Sequence, residues 1–100
     1  MDRFLVVFRG ATIGQAEGPQ HHPDNWNAWF DGLGAALLDR GALSHGSVEV
    51  PTRLIGPKLS SSALSGYAII SATDFNDAVR LAESCPIFDE QGSVEIAHLR

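Results

Sequence analysis

The sequence predicts an α+β fold with the element order β-α-β-β-α-β, and two observations carry that expectation. The last third, Ser65 to Arg100, reads strand, capped helix, strand. Gly66-Tyr67-Ala68-Ile69-Ile70 is extended and apolar, Thr73-Asp74-Phe75-Asn76-Asp77 opens a helix, Pro86 closes it, and Gly92-Ser93-Val94-Glu95-Ile96 is extended again. The first half, Phe4 to Leu54, divides into the same kind of unit. Two right-handed crossovers on one antiparallel sheet place both helices on a single face.

Phe4-Leu5-Val6-Val7-Phe8 is apolar at every position. A strand with one wet face would alternate, so both faces of this one are expected to be covered. Gly10 to His22 reads as a loop punctuated by Gly14, Gly18 and Pro19. A helix follows from Pro23 or Asp24, with Asp24 as its N-cap. Trp26, Trp29, Phe30, Leu33, Leu37 and Leu38 are spaced as one helical stripe, and Asn27, Asp31, Ala35 and Asp39 fall opposite. Gly41 is placed to end that helix. Ser47 to Leu54 alternates as a second strand, and Pro51, lacking an N–H, puts it at a sheet edge.

Ile55 to Ser65, with Gly56-Pro57 and Ser60-Ser61-Ser62, reads as a loop. Tyr67 to Ser71 is a third strand, again apolar on both faces. Thr73 is the expected N-cap of the second helix, with Asn76 at N3 and Phe75, Ala78, Val79 and Ala82 as its buried stripe. In the last strand Val94, Ile96 and His98 alternate with Glu95 and Ala97.

The chain of 100 residues fits one domain over 1–100, with a hydrophobic content of 44% typical of a globular protein. The net charge of −5, a lone lysine at Lys58 and six scattered arginines offer no basic patch, which argues against a nucleic-acid partner. Cys85 is the only cysteine, so an internal disulfide is excluded and a cytoplasmic location is expected. No apolar run approaches a membrane span, and the few apolar residues after Met1-Asp2-Arg3 are too short for a signal-peptide core. With both helices on one face, apolar side chains of Phe4 to Phe8 and Tyr67 to Ile70 are left on the open face. A second copy packed sheet to sheet would cover them, so a homodimer is expected.

The chain resembles a known family at Trp26-x-x-Trp29-Phe30-x-x-Leu33-Gly34, Leu38-x-x-Gly41, Ser65-Gly66-Tyr67-x-Ile69-Ile70-x-Ala72, Ala78-Val79-x-Leu81-Ala82-x-x-Cys85-Pro86 and Gly92-Ser93-Val94-Glu95-Ile96. These motifs are similar to those of the YCII-related family, also called the DGPF-domain family, over nearly the whole chain. The resemblance implies a ferredoxin-like dimeric α/β barrel. The Asp-Gly-Pro-Phe motif itself is represented only by Gly56-Pro57 in Ile55-Gly56-Pro57-Lys58. Within the family, some members are similar to a dehydrochlorinase of chlorinated aromatics, some carry a His-Asp pair proposed as catalytic, and many are encoded beside or fused to sigma-factor regulators.

His21-His22-Pro23-Asp24 is the leading chemical candidate: His21 or His22 as general base, Asp24 as its orienting partner, ahead of a helix N-terminus. The alternative is a polar loop in which Asp24 only caps the helix. No metal site is expected, since adjacent histidines rarely share one ion and the i, i+4 pairing of helical zinc sites is absent. His45 and His98 have no spacing that joins them. Trp26 and Tyr67 are candidate walls of a substrate pocket, against a purely structural use, and Arg9 is a candidate for a substrate carboxylate, against a solvated strand-end charge. Glu95 reads as an ion-paired or interface residue, and Cys85, at a helix C-terminus, as a small buried hydrophobe.

Three functions remain open: a small-molecule binding or accessory protein, a cofactorless lyase or isomerase working through His21 or His22 and Asp24, and a regulatory partner of a sigma-factor system. No cofactor is expected in any of them.

Overall fold

The core is organised by β1 (Asp2–Gly10), whose alternate residues Phe4, Val6 and Phe8 are fully buried while Leu5, Val7 and Arg9 are half-buried. A computed structural model of the chain describes residues 1–10, 21–44, 47–59 and 63–100. β1 pairs antiparallel with β5 (Ala63–Ala72) on one side and β6 (Ser93–Leu99) on the other. β2 (Leu37–Leu43) adds to the far edge of β5, giving an antiparallel sheet of order β2-β5-β1-β6. Helices α1 (Pro23–Leu33) and α2 (Phe75–Ala82) contribute Trp26, Trp29, Phe30 and Ala78 to the same core as Phe4, Val6, Phe8, Ala68 and Ile70. Both helices therefore cover the sheet face that carries the buried residues of β1. The protein is an α+β fold with a four-stranded antiparallel sheet and two helices. Among the described residues, no helix is long and apolar enough to cross a membrane.

The opposite face follows from the register. Tyr67, Val7 and Glu95 align in one row across the sheet, and Ile69, Leu5 and Ala97 in the next. Residues opposite one another on paired strands share a face, so this face is an apolar strip of Val7, Leu5, Ile69 and Tyr67 with Glu95 at its edge. The first strand is thus apolar on both sides, as its unbroken hydrophobic run predicts, but only one side lies against helices.

Several boundaries differ from the sequence expectation. The first helix does not run to Gly41; it stops at Leu33, where Gly34 adopts φ 55° and a short 3-10 turn, Gly34–Ala36, reverses the chain. Leu37, Leu38 and Gly41 lie in β2 instead of on a helical stripe. A Leu-Leu pair fits either period, and the unpaired edge of β5 offers this segment a ladder of hydrogen bonds that a longer helix would forgo. Ser47 to Leu54 is not the second strand of the main sheet. Only Val48–Glu49 is extended (β3), paired with Lys58–Leu59 (β4) in a separate two-stranded sheet. Pro51 interrupts the run, the chain turns at Thr52 through bonds from the Ile55 and Gly56 amides, and Val48, Val50 and Leu54 are exposed.

Helix α1 is not capped by Asp24. His22 is its N-cap, without a side-chain cap bond, and Pro23 at N1 supplies a preset φ and needs no partner for an N–H. In α2 the N-cap is Asp74, one residue later than Thr73. Its carboxylate accepts from Asp77 N at 2.8 Å, while Asp77 Oδ2 accepts from Thr73 N at 3.0 Å. On α2 the buried positions are Ala78 and Ala82, whereas Phe75 and Val79 are about half exposed. The helix ends at Ala82, and Pro86 opens a 3-10 turn, Pro86–Glu90. The expected Gly14, Gly18 and Pro19 punctuation, His45, and Ser60 to Ser62 lie outside the described residues.

Candidate functional site

The Pro86–Glu90 turn is held firmly. Pro86 and Ile87 are buried, Gln91 ends the turn in the left-handed region at φ 63°, and Gly92 N donates to the Ile87 carbonyl at 2.8 Å. A Cβ at Gly92 would collide with the Arg9 carbonyl oxygen and the Ile87 side chain, so only glycine lets the chain pass there. Glu90, the last residue of the turn, is thereby aimed at the start of α1.

Three groups converge on the Glu90 carboxylate. Oε1 lies 2.8 Å from His21 Nδ1, and Oε2 accepts from Trp26 Nε1 at 2.8 Å and from His22 N at 3.2 Å. A carboxylate thus sits at the N-terminus of α1, where the helix dipole favours negative charge. The other ring nitrogen of His21, Nε2, lies 3.1 Å from the Ser44 carbonyl oxygen. A carbonyl oxygen only accepts, so Nε2 is the donor in that contact. The His21 ring also meets Trp26 edge to face at 5.3 Å. Trp26 in turn meets Phe8 at 4.8 Å, which ties the polar cluster to the centre of the core.

Beside this cluster, between α1 and β2, lies a cavity of about 400 Å³ bordered by His21, Trp26, Asn27, Phe30, Arg40 and Ala42. A bulge in β2 shapes its far wall: Asp39 pairs with Ile69 and Ala42 with Tyr67, which leaves one extra residue on β2. Gly41 takes φ 61° within the bulge, its N–H bonded to Asp39 Oδ1 at 2.8 Å. Bulges re-aim side chains. Here the guanidinium of Arg40 lies over the Phe30 ring, 4.6 Å from its centroid, and donates to Asn27 Oδ1.

The sequence-predicted site residues are only partly brought together. His21 and Trp26 border the cavity. His22 is exposed and joins the cluster through its backbone, and Asp24 is exposed and makes no hydrogen bond or ion pair among the described residues. The carboxylate that meets His21 is Glu90. Tyr67 is 41% exposed on the open sheet face, on the side of the sheet away from the helices. Arg9 is ion-paired with Glu95 at 3.2 Å, so Glu95 is a salt-bridged residue. His98 stacks on Phe4 at 4.9 Å and pairs with Asp2 at 3.2 Å. Cys85 is buried, and that burial pushes its thiol up to about 12.

Glu90, Arg40 and Asn27 have no local sequence signal. Glu90 acts on residues 69, 68 and 64 positions earlier, and Arg40 is aimed by a bulge that only strand pairing reveals. Among the described residues, no cluster of three or more His, Cys, Asp or Glu side chains is arranged to hold a metal ion. The chain matches no protein-family model, no curated protein and no solved structure.

Proposed function

We propose that this chain is a YCII-related protein of the ferredoxin-like class that pairs sheet to sheet and binds a small molecule in the cavity between α1 and β2. The strand order β2-β5-β1-β6, with both helices on one face, is compatible with that fold. The apolar strip of Leu5, Val7, Tyr67 and Ile69 supports the pairing, because a second copy would remove it from water. The observation that carries the binding reading is the cavity itself: about 400 Å³, within the range of ligand sites, and bordered by Asn27, Arg40 and Ala42 beside the buried Trp26 and Phe30.

Binding is favoured over a His-Asp lyase or isomerase by the bonding of His21. A general base needs a lone pair aimed at its substrate, and both ring nitrogens of His21 face protein acceptors at 2.8 and 3.1 Å. A neutral ring probe tests the reading. Benzamide titrated into labelled protein should shift amide resonances of α1 and β2 around Trp26, Phe30 and Ala42. Shifts that are absent, or scattered over the surface, would remove the cavity as a binding site.

The third reading, a regulatory protein partner, draws support from a different place. Phe75, Val79 and Phe88 are half exposed and line a groove with Val94 and Ile96, an apolar patch separate from the open sheet face. Titration of a sigma-factor regulator into wild type and Val79→Asp distinguishes it. Equal binding by both, or none by either, excludes the groove as the docking surface.

A further inference from the structure

We infer that the ligand of the α1–β2 cavity is a small planar carboxylate, its anionic end held by Arg40 and its body seated in the cavity beside Asn27 and Ala42. This rests on the binding reading of the cavity and specifies the chemistry it selects.

Charge at the cavity runs against that of the chain. The protein has 12 acidic residues against seven Lys and Arg, yet among the described residues no Asp or Glu borders the cavity, while Arg40 does. The described acids of the neighbouring elements make no ion pair with Arg40. Glu90 is engaged by His21, Trp26 and the His22 amide. Asp39 accepts from Gly41 N and lies in register with Ile69. Asp24 and Asp31, one turn to either side of Asn27 on α1, are exposed and form no ion pair with Arg40.

The pose of Arg40 suits a carboxylate. A guanidinium presents five N–H donors in a rigid plane, and a carboxylate fits its edge with two parallel bonds. One terminal nitrogen of Arg40 is used by Asn27 Oδ1, and the flat face rests on Phe30. Both contacts restrain the side chain before a ligand arrives, which lowers the entropy lost on binding. The bulge at Gly41 maintains this direction, since a side chain there would strike the Tyr67 carbonyl.

Benzoate and benzamide differ little in shape and differ in charge, so they isolate the contribution of Arg40. Wild type should bind benzoate roughly fivefold to tenfold more tightly than benzamide at low salt, a modest margin because Arg40 remains partly in water. That margin should shrink as salt is added. Arg40→Gln should bring the benzoate-to-benzamide affinity ratio to about one, and Arg40→Lys should keep part of the preference. Arg40 is exposed, so both variants are expected to fold, and their circular dichroism and melting curves verify this. Equal affinity for the two probes in wild type, or a benzoate preference that survives in Arg40→Gln, overturns the carboxylate assignment and leaves the cavity reading standing. Failure of both probes to perturb the α1–β2 resonances overturns both.

Discussion

The Glu90 carboxylate and the His21 imidazole, 69 residues apart in the chain, meet at 2.8 Å with side chains only 11% and 4% exposed. The contact joins the turn after α2 to the start of α1, and it brings Trp26 Nε1 and the His22 amide onto the same carboxylate.

Removing that carboxylate should be costly. Glu90→Ala takes the acceptor away from the Trp26 indole N–H and the His22 amide in a largely buried cluster. The expected loss is about 3 kcal/mol, with a smaller loss for Glu90→Gln, whose amide oxygen still accepts. Urea unfolding followed by tryptophan fluorescence measures both. A loss for Glu90→Ala no larger than for an exposed site such as Asp24→Ala would show that the cluster contributes little.

Gly41 is the second sensitive point. It combines φ 61° with a collision between any Cβ and the Tyr67 carbonyl oxygen. Gly41→Ala should destabilise the protein by about 2 kcal/mol and speed amide exchange along Leu37–Leu43, with little change in β1. Uniform acceleration across the sheet would contradict a local role for the bulge.

The N-terminus of α2 sets an acid limit. The Thr73 amide, and then Arg80, hold the Asp77 carboxyl below its ordinary 3.8. A carboxylate whose folded value is depressed stabilises the native state fully above its unfolded value, and that contribution is lost as the pH falls through the lowered folded value. Carbon-detected titration should therefore show Asp77 ionised below pH 3.8, and Asp77→Asn should remove its share of the acid dependence of stability. Replacing the cap itself, Asp74→Ala, should cost about 1 kcal/mol at neutral pH. An Asp77 titration at or above the ordinary value would contradict the capping geometry.

The open sheet face predicts the assembly. Ile69→Lys places a charge in the row of Ile69, Leu5 and Ala97, where a second sheet would have to bury it. Sedimentation equilibrium should give a dimer for wild type and a monomer for the variant, with cooperative unfolding retained. A wild type that is monomeric at micromolar concentration removes the sheet-to-sheet pairing.

Local chemistry made much of the framework readable from residue order. The unbroken apolar run Phe4 to Phe8, the alternation of Val94 and Ile96 with Glu95, and Pro23 at the helix start each act within a few residues. Trp26, Trp29 and Phe30 fall on the buried side of α1, as their spacing predicts. His21 and Trp26 do border one cavity. Expectation and structure differ where two local patterns are equally good. Leu37 and Leu38 fit a helical stripe or a strand, and the open edge of β5 resolved it; Val48 and Val50 alternate as a strand but have no sheet to join beyond Lys58–Leu59.

The sequence by itself determined the α+β class, the first and last strands, the buried face of α1 and an excess of apolar surface on one sheet. Tertiary structure alone decided which acid meets His21, where β2 lies and where Arg40 points. Those relationships depend on contacts between residues up to 69 positions apart and on a bulge seen only once β2 and β5 are in register. Periodicity reports what a residue does within its own turn or strand; it carries no information about the carboxylate that a distant turn delivers.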